Sequence, residues 1–419
     1  MNLTNITILH YSAPPIVGGV ESVMQAHARL FLDAGYQTTI VAGAGEKDAL
    51  PSGTKFVRIP EMDSQNPQIT ALNRDLELGR VPENFNKLTV DLTNALQSIL
   101  NSSDLLIVHN VFTKHFNLAL SAALFRLLDQ RKIRRCVAWC HDFTWTSSHS
   151  RSKVYPGYPW DLLRTYRSDV TYVTISQARR IELANLFGRP LEQIRVIYNG
   201  TNPQELLGLS SIGTELIDRL ELWDSDLNLL MPIRVTQAKN IELAIQVAAS
   251  LKQQGINPKI IITGPPDPHD EQNMRYFEDL LTLRKKLDVE NEVRFVFESG
   301  ANKEEPFIVD MSIVGELFRV NDALFMPSHR EGFGMPIIEA GMVGTPVFCS
   351  DQVPAAKEIG VEDVILFDPE SGAEKITSLI LDWVKQNPVY HLRRRVRQRL
   401  LWKNIFRHEI QKLLDENPF

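Results

Sequence analysis

Residues 322–343 read DALFMPSHREGFGMPIIEAGMV, an apolar run ending at a proline, then a glycine-broken turn and the start of an apolar helix. Asp322–Pro327 predicts a buried strand and Ile337–Val343 a helix, so the stretch is a strand-to-helix junction of an α/β fold. Glu331 and Glu339 flank the turn. Helix-start N–H groups favour anionic oxygens and carboxylates accept from vicinal hydroxyls, which fits a ligand with phosphate and sugar. A surface acid pair stabilising the helix dipole is the alternative.

Outward from this junction, strand-like runs alternate with helical periodicity, which predicts parallel sheets with crossover helices. We expect strands at Ile6–His10, Thr38–Ala42, Leu105–His109, Cys136–Cys140, Tyr172–Ile175 and Arg195–Tyr198, and a second series at Asn228–Pro232, Lys259–Thr263, Val293–Val296, Ala323–Met326 and Val347–Cys349. Helices are expected at Val20–Ala34, Val90–Leu100, Ile241–Gln254, Met274–Leu287 and Val314–Arg319. The pattern predicts an α/β protein with two Rossmann-like halves, residues 1–205 and 227–385. Residues 206–226 form the predicted linker, with a short helix.

Length and composition narrow the class of protein. A chain of 419 residues exceeds what one hydrophobic core usually serves, so two domains are expected. No apolar run is long enough to span a membrane, and the N-terminus lacks the basic and apolar segments of a signal peptide. Three cysteines are too few for a disulfide framework, which favours buried thiols and a cytoplasmic location.

Charge is distributed unevenly. Residues 1–200 carry 21 Lys and Arg against 17 Asp and Glu, whereas residues 201–419 carry 24 against 34. The first half can favour an anionic partner, and its basic stretch Arg126–Arg135 is compatible with peripheral contact at the inner face of a membrane. A solvated helix end is the simpler interpretation. The basic stretch Arg393–Arg399 lies in an acidic half, which argues against a nucleic-acid partner.

Two further motifs follow predicted strands, where doubly wound folds bind ligands. Gly18 and Gly19 lie between the first strand and first helix, where their amides can approach a phosphate; a plain tight turn is the alternative. Arg234 and Lys239 follow the first strand of the second half and can converge on one anion, as a leaving diphosphate requires. Asp224 and Asp226 form an Asp-x-Asp pair in the predicted linker, a poor place for a metal site, so no metal or other cofactor is expected.

The stretch PSHREGFGMPIIEA at residues 327–340, followed by GTPV at 344–347, resembles the donor-site signature of retaining glycosyltransferases of family 4. The resemblance implies a GT-B fold, in which two doubly wound parallel-sheet domains face a central cleft. It also implies that residues 386–419 include a last helix that returns to the N-terminal domain. The N-terminal domain would bind the acceptor and the C-terminal domain the nucleotide sugar.

The same resemblance implies roles for individual residues. Glu331 would contact the hydroxyls of the donor sugar, and Glu339 those of the ribose. The backbone of Phe333, Gly334 and Met335, the Gly18–Gly19 loop, and a turn at Gly264 would also line the donor site. Arg234 and Lys239 match the family's cation pair, although Ile233 and Asn240 replace glycines that are usual there. His141, after a strand of the first half, would lie beside the donor sugar.

The acceptor side is less defined. His109 and Asn110 follow a strand and are candidates to contact acceptor hydroxyls, with a turn role as the alternative. Trp145 can stack on an acceptor sugar or pack within a flap. In the resembled family, the loop that recognises the nucleotide base corresponds to Phe297–Gly300 of this sequence.

The sequence therefore predicts a retaining, metal-independent hexosyltransferase that moves glucose or mannose from a nucleotide diphosphate sugar to a hydroxyl-bearing acceptor. That acceptor is a small glycoside, a sugar acid, a polysaccharide precursor or a lipid. A monomer or homodimer is expected. A nucleotide-sugar epimerase of the same architecture and a non-catalytic nucleotide-sugar-binding scaffold are the alternatives.

Overall fold

The structure is a computed structural model that describes residues 3–300 and 307–416. It divides the chain into two compact units: unit 1 is Met1–Gly200 with Trp402–Phe419, and unit 2 is Thr201–Leu401. Each unit is described by itself below.

Unit 1 is built on a seven-stranded parallel sheet in the order β3-β2-β1-β4-β5-β6-β7. The strands are β1 Asn5–Leu9, β2 Gln37–Ala42, β3 Lys55–Arg58, β4 Leu105–His109, β5 Cys136–Cys140, β6 Thr171–Thr174 and β7 Ile194–Val196. The main helices are α1 Gly19–Asp33, α2 Pro67–Leu76, α3 Phe85–Leu100, α4 Leu118–Asp129 and α5 Gln177–Phe187. The central strands β4 and β5 are buried on both faces, as their continuous apolar runs predict.

Unit 2 has a six-stranded parallel sheet in the order β10-β9-β8-β11-β12-β13. Its strands are β8 Leu227–Met231, β9 Pro258–Ile262, β10 Val293–Phe295, β11 Ala323–Met326, β12 Val347–Ser350 and β13 Ile365–Phe367. Its helices are α6 Pro203–Leu207, α7 Ser211–Arg219, α8 Ile241–Gln253, α9 Glu271–Lys286, α10 Met311–Val320, α11 Met335–Val343, α12 Ala373–Gln386 and α13 Pro388–Arg399, with a π-helical turn at Ala356–Gly360. The prediction of two parallel-sheet α/β halves is confirmed.

The final segment belongs to unit 1. It consists of α14 Trp402–Ile405, a π-helical turn Phe406–Ile410 and α15 Gln411–Asp415. Leu413 and Leu414 are buried in the core beside β1 and β2, and their carbonyl oxygens accept hydrogen bonds from Arg135. The aromatic ring of Trp402 packs edge-on against His27 of α1. These residues therefore complete the core of unit 1.

The unit boundaries differ from the predicted domain limits at two places. Residues 206–226, predicted as a linker, lie in unit 2, where Leu216 and Ile217 of α7 are buried against Leu317 of α10. Helix α7 is thus part of the core of unit 2. The predicted short helix agrees with this, whereas the predicted linker does not. Of the predicted C-terminal segment 386–419, helix α13 remains in unit 2.

A buried ion pair fixes α13 to unit 2. The Arg397 guanidinium donates to both carboxylate oxygens of Asp322, at 3.0 and 2.9 Å, and donates to the Asp226 carbonyl oxygen. Arg394 pairs with the Asp226 carboxylate. Removing one partner of such a buried pair typically costs about 3–5 kcal/mol. The basic stretch is therefore engaged inside the unit.

Candidate active site

The loops after β8 and β11 meet at the carboxyl edge of the unit 2 sheet, because these two strands are neighbours. Lys239 Nζ lies 2.6 Å from Glu331 Oε1, and the Ser328 hydroxyl donates to the same oxygen at 2.9 Å. The His329 amide donates to the Ala238 carbonyl at 2.9 Å, which joins the two loops through their backbones. The Glu331 side chain is 11% exposed. A carboxylate and an ammonium group are thus held together at an accessible edge.

A glycine turn presents the start of helix α11 beside this pair. Gly334 adopts φ +111°, and a Cβ there would lie 2.6 Å from Val353 Cγ1, so the position demands glycine. The helix begins at Met335 without a side-chain cap, and the side chains of Phe333 and Met335 are exposed. Uncapped amides at a helix start are ready donors to an anionic oxygen.

Arg234 and Glu339 complete the candidate groups of unit 2. The Arg234 side chain is exposed, Glu339 is half-buried, and neither has a hydrogen-bond or ion-pair partner within residues 3–300 and 307–416. Gly264 supports the arginine, because its amide donates to the Ile233 carbonyl and a Cβ there would approach the Arg234 Cα to 2.8 Å. Gly264 is thus explained by close packing under the Arg234 loop.

Asn240 gives the loop after Lys239 the left-handed backbone conformation that precedes helix α8. It adopts φ +52° and precedes helix α8, so it occupies the left-handed conformation that a glycine would otherwise take. Asparagine is among the few side chains that tolerate this region. The substitution of Asn for the usual glycine therefore leaves the turn intact.

In unit 1 the loop after β1 brings Gly18 and Gly19 to the start of α1. Gly18 is the uncapped N-cap residue, and a Cβ there would collide with Glu21 Oε2 at 2.2 Å. Glu21 is buried, and its Oε1 accepts a hydrogen bond from the Ser12 hydroxyl at 2.5 Å. The carboxylate is thus engaged beneath the turn, while the amides at the helix start lack a side-chain cap.

His141 directly follows β5 and is held by residues that follow β4. Its ring Nε2 lies 3.1 Å from His109 Nδ1, and its amide donates to Asn110 Oδ1 at 2.8 Å. Asn110 adopts the left-handed conformation, with φ +61°. The amide of Asp142 donates to the same oxygen at 3.2 Å. Both the ring and the backbone of His141 are therefore fixed.

Burial keeps these imidazoles neutral. It lowers the pKa of His141 to about 3, with a further contribution from His10. It also lowers the pKa of His109 well below its usual value, and the neighbouring histidines His141, His27 and His10 add to the effect. Two neutral rings joined through Nδ1 and Nε2 share one proton, so the tautomer of His109 decides which nitrogen of His141 carries hydrogen.

Two family models match this chain, one for each unit. Residues 17–205 match the family described as Glycosyltransferase Family 4, and residues 215–399 match Glycosyl transferases group 1. The chain belongs to the family 4 type of glycosyltransferases. Its two parallel-sheet units are those of the GT-B fold.

Individual relatives are more distant. The chain is 25% identical over 294 residues to a mannosylglucosylglycerate synthase of Petrotoga mobilis, covering 66% of this chain and 65% of that protein. It is 27% identical over 266 residues to an uncharacterised glycosyltransferase of Methanocaldococcus jannaschii, covering 60% and 61%. The matched regions thus span less than two thirds of these relatives. A solved structure, Anabaena HepE in complex with UDP-glucose, matches with 19% identity and a TM-score of 0.35 over 98% of this chain and 99% of that one.

In this glycosyltransferase the three residues predicted for the acceptor side are packed inside unit 1. His109 is fully buried and Asn110 nearly so, and both hold the His141 loop. Trp145 is buried, its ring contacts the guanidinium groups of Arg151 and Arg164, and its Nε1 donates to the Trp160 carbonyl. Other groups of unit 1 thus occupy their surfaces, which fits the turn and flap roles that the sequence also allows, and contact with the acceptor stays a prediction.

Sequence reasoning also missed supporting groups of the glycosyltransferase. Ser12 and Glu21 brace the Gly18 turn, and Ser328 holds Glu331. An acid in the first turn of a helix has an ordinary dipole role, so its sequence signal is weak. Serines near turns are equally common. Only the tertiary contacts distinguish these three.

Other features carry less chemistry. Cys136, Cys140 and Cys349 are buried free thiols, and burial raises the pKa of Cys349 to about 12.

Within the described part of the chain, no group of three or more His, Cys, Asp or Glu side chains is arranged to hold a metal ion. Among the same residues, no helix combines the length and apolar character needed to cross a bilayer.

Proposed function

We propose that this protein is a retaining, metal-independent hexosyltransferase that moves glucose or mannose from a nucleotide diphosphate sugar to a hydroxyl-bearing acceptor. The observation that carries the proposal is the edge of the unit 2 sheet. There Glu331 and the uncapped start of α11 follow β11, and Lys239, which pairs with Glu331, follows the neighbouring β8. Arg234 lies in the same loop as Lys239 and has no hydrogen-bond or ion-pair partner among the described residues. This set offers cations and amides to a diphosphate and a carboxylate to sugar hydroxyls.

The charged side chains of unit 2 are proposed to bind different parts of the donor. Arg234 is exposed and unpartnered in the described chain, so it can contact the diphosphate without first breaking an ion pair. Lys239 is held by Glu331 and gains a second acceptor when phosphate oxygens arrive. Glu331 keeps one oxygen on Lys239 and Ser328 and has the other for a donor hydroxyl. Glu339 is then available for the ribose hydroxyls.

In the proposed reaction the acceptor oxygen attacks the anomeric carbon from the face that the diphosphate leaves. The bond between that carbon and the phosphate oxygen breaks, and this oxygen takes the acceptor proton. The unit 1 carboxylates Glu21 and Asp142 are engaged, Glu21 by the Ser12 hydroxyl and Asp142 by Arg179 at 3.5 Å, so we assign neither as a covalent nucleophile. Stabilising the leaving charge is then the main catalytic contribution, supplied by Arg234, Lys239 and amides of the Gly18 loop.

His141 contributes as a neutral group. With its pKa lowered to about 3 by burial, it adds no positive charge at neutral pH. It can donate to or accept from a sugar hydroxyl, which positions the sugar as the reacting bond breaks. We place the reaction in the cytoplasm, since three unpaired thiols fit a reducing compartment.

The test measures release of nucleoside diphosphate from UDP-glucose, GDP-mannose, UDP-N-acetylglucosamine and ADP-glucose, with and without an acceptor pool. The name of the Petrotoga relative motivates including glycerate and its glucosides in that pool. The anomeric configuration of the product is read by NMR, and the reaction is repeated in EDTA.

Acceptor-dependent release from one donor, with retention and without inhibition by EDTA, is the expected result. An isomerised sugar formed without any acceptor would replace the proposal with an epimerase. Nucleotide-sugar binding without turnover for every donor and acceptor would favour a scaffold. Inversion at the anomeric carbon, or loss of turnover in EDTA, would overturn that part of the mechanism alone.

A further inference from the structure

Unit 1 contains a polar cavity that none of the groups above explains. Its volume is about 360 Å³, and six of its lining residues are Asn73, Arg74, Glu77, His115, Phe116 and Lys153. Pockets for small ligands usually start at about 300 Å³, so this one accommodates a compact polar molecule. We call it the α2 pocket, after the helix that carries Asn73 and Arg74.

The α2 pocket lies on the ligand-binding side of the unit 1 sheet. His115 and Phe116 follow the carboxyl end of β4, and Lys153 follows that of β5. Gly18 and His141 likewise follow the carboxyl ends of β1 and β5. Loops at this edge of a doubly wound sheet are where ligands bind. The pocket thus shares its edge with the proposed catalytic loops while using different residues.

The charges of the pocket leave one cation unbalanced. Lys153 Nζ lies 2.9 Å from Glu77 Oε1, so these two neutralise each other. His115 is uncharged at neutral pH, because burial and then Lys153 and Lys114 lower its pKa to about 4 despite the nearby Glu77. Arg74 has no ion-pair or hydrogen-bond partner within residues 3–300 and 307–416. An anionic group on a ligand would supply the missing counter-charge.

The remaining lining fits hydroxyl groups and a carbon skeleton. Asn73 Nδ2 donates to the Phe116 carbonyl at 2.7 Å, while Asn73 Oδ1 is buried without a donor in the described chain. Ser64, Gln65 and Thr70 also line the pocket and provide polar side chains that can hydrogen-bond ligand hydroxyls. The Phe116 ring is 40% exposed and offers an apolar face. Hydroxyls, C–H surface and one negative charge describe an acidic polyol.

We propose that the α2 pocket binds the acceptor, and that the acceptor is a polyol or glycoside bearing a carboxylate or phosphate, whose anionic group contacts Arg74. The proposal rests on the proposed function and adds the class of acceptor to it. A neutral polysaccharide end or a neutral lipid would leave Arg74 without a counter-ion.

The experiment compares Arg74→Met with Arg80→Met as the matched control. Both remove one exposed guanidinium near the end of α2, but Arg80 is paired with Asp75 and does not line the pocket. KM and kcat are measured for uronic acids, sugar phosphates and their neutral parent sugars, together with donor hydrolysis in the absence of acceptor. The carboxylate and phosphate arms identify which anion is preferred.

We expect Arg74→Met to raise KM for the charged acceptor about tenfold or more, which corresponds to about 1.4 kcal/mol, with donor hydrolysis unchanged. Arg74→Lys should recover part of the loss, and Arg80→Met should behave as the wild type. A preference for the neutral parent sugar, or equal effects of the two Met variants on the charged acceptor, would overturn the proposal.

Ligand-observed NMR separates this proposal from the function on which it rests. Binding of glucuronate and glucose 6-phosphate, each against glucose, is measured with wild type and with Arg74→Met. Selective binding of an acid that Arg74→Met abolishes supports the pocket even if no donor is turned over. Donor turnover without any Arg74-dependent binding rejects the pocket and leaves the transferase standing.

Discussion

The candidate catalytic groups of unit 2 are charged, whereas the candidate imidazoles of unit 1 are neutral. Unit 2 presents charges, with Arg234 exposed and Lys239 paired with Glu331. At the ends of β4 and β5, unit 1 presents neutral groups, with burial lowering the pKa of both His109 and His141. Charge suits a site that must hold a diphosphate, and neutral imidazoles suit one that must orient hydroxyls. Two similar parallel sheets can thus present charged groups or neutral groups at their strand ends, depending on how deeply those groups are buried.

The largest effect is expected from removing the acid of unit 2. Glu331→Gln keeps the volume but removes the carboxylate, so Lys239 loses its ion pair and the sugar loses an acceptor. We expect kcat to fall about 1000-fold, a magnitude typical of lost transition-state electrostatics. Stopped assays give kcat, and thermal unfolding checks the fold. Glu370→Gln serves as the control, because Glu370 is an exposed acid of the short helical turn Pro369–Ser371 whose carboxylate lies 3.5 Å from His329 Nδ1. Near-normal turnover of Glu331→Gln would remove Glu331 from the site.

Arg234 offers the next test of the charged unit. Arg234→Met should lower kcat about 100-fold while changing nucleotide affinity much less, because a leaving-group contact strengthens as the bond breaks. Steady-state kinetics and calorimetric titration with nucleoside diphosphate measure the two effects separately. Equal losses in kcat and affinity would show that Arg234 only binds the ground state. Arg275→Met, which removes an arginine paired with Glu271 on α9, is the matched variant.

His109 tests the neutral unit. His109→Leu removes the hydrogen bond to His141 Nε2, so the tautomer of His141 is no longer fixed, and we expect kcat to fall about tenfold. His109→Asn places an amide near the former Nδ1 and should recover most of that loss. The two variants are compared by kcat and by the pH profile of turnover. Equal losses in both would mean that His109 only fills space.

The smallest effect concerns acid stability. Burial lowers the pKa of His27 to about 3, and neither ring nitrogen has a partner in the described chain. The unfolded state therefore binds protons first, so stability falls as pH drops from about 6.5 towards 3. His27→Phe should flatten this slope by up to about 1.4 kcal/mol per pH unit. Denaturant unfolding at pH 4 to 7 measures it, with hydrogen exchange assigning the change to unit 1; an unchanged slope would contradict the assignment.

The fold was predictable where strands lie deep in a sheet. Strands β4, β5, β8 and β9 are wholly buried, and their apolar runs were recognised. Strands β3 and β13 were not predicted, because edge strands are partly exposed and read as short mixed runs. The edge strands β7 and β10 were predicted, and each has at least one fully buried position, whereas β3 has none.

The candidate site was predictable as a set of residue types but not as a set of contacts. The sequence indicated Glu331 and Lys239, yet their pairing across 92 positions depends on β8 and β11 being neighbours in the sheet. His109 was a candidate for acceptor contact or for a turn role because it ends a strand, and only the packing of His27 on α1 and Trp139 on β5 around it shows that it is buried. The spacing of residues along the chain does not show which loop residues are buried by other elements of the fold.

The return of the chain to unit 1 has a consequence for its synthesis. Unit 2 is a continuous stretch, Thr201–Leu401, whereas the core of unit 1 lacks Ile405, Ile410, Leu413 and Leu414 until residues 405–414 emerge. Of the two units, the one whose synthesis begins first is therefore the one completed last. A nascent or truncated chain ending at residue 401 holds an open apolar face on β1 and β2, a natural target for chaperones and proteases.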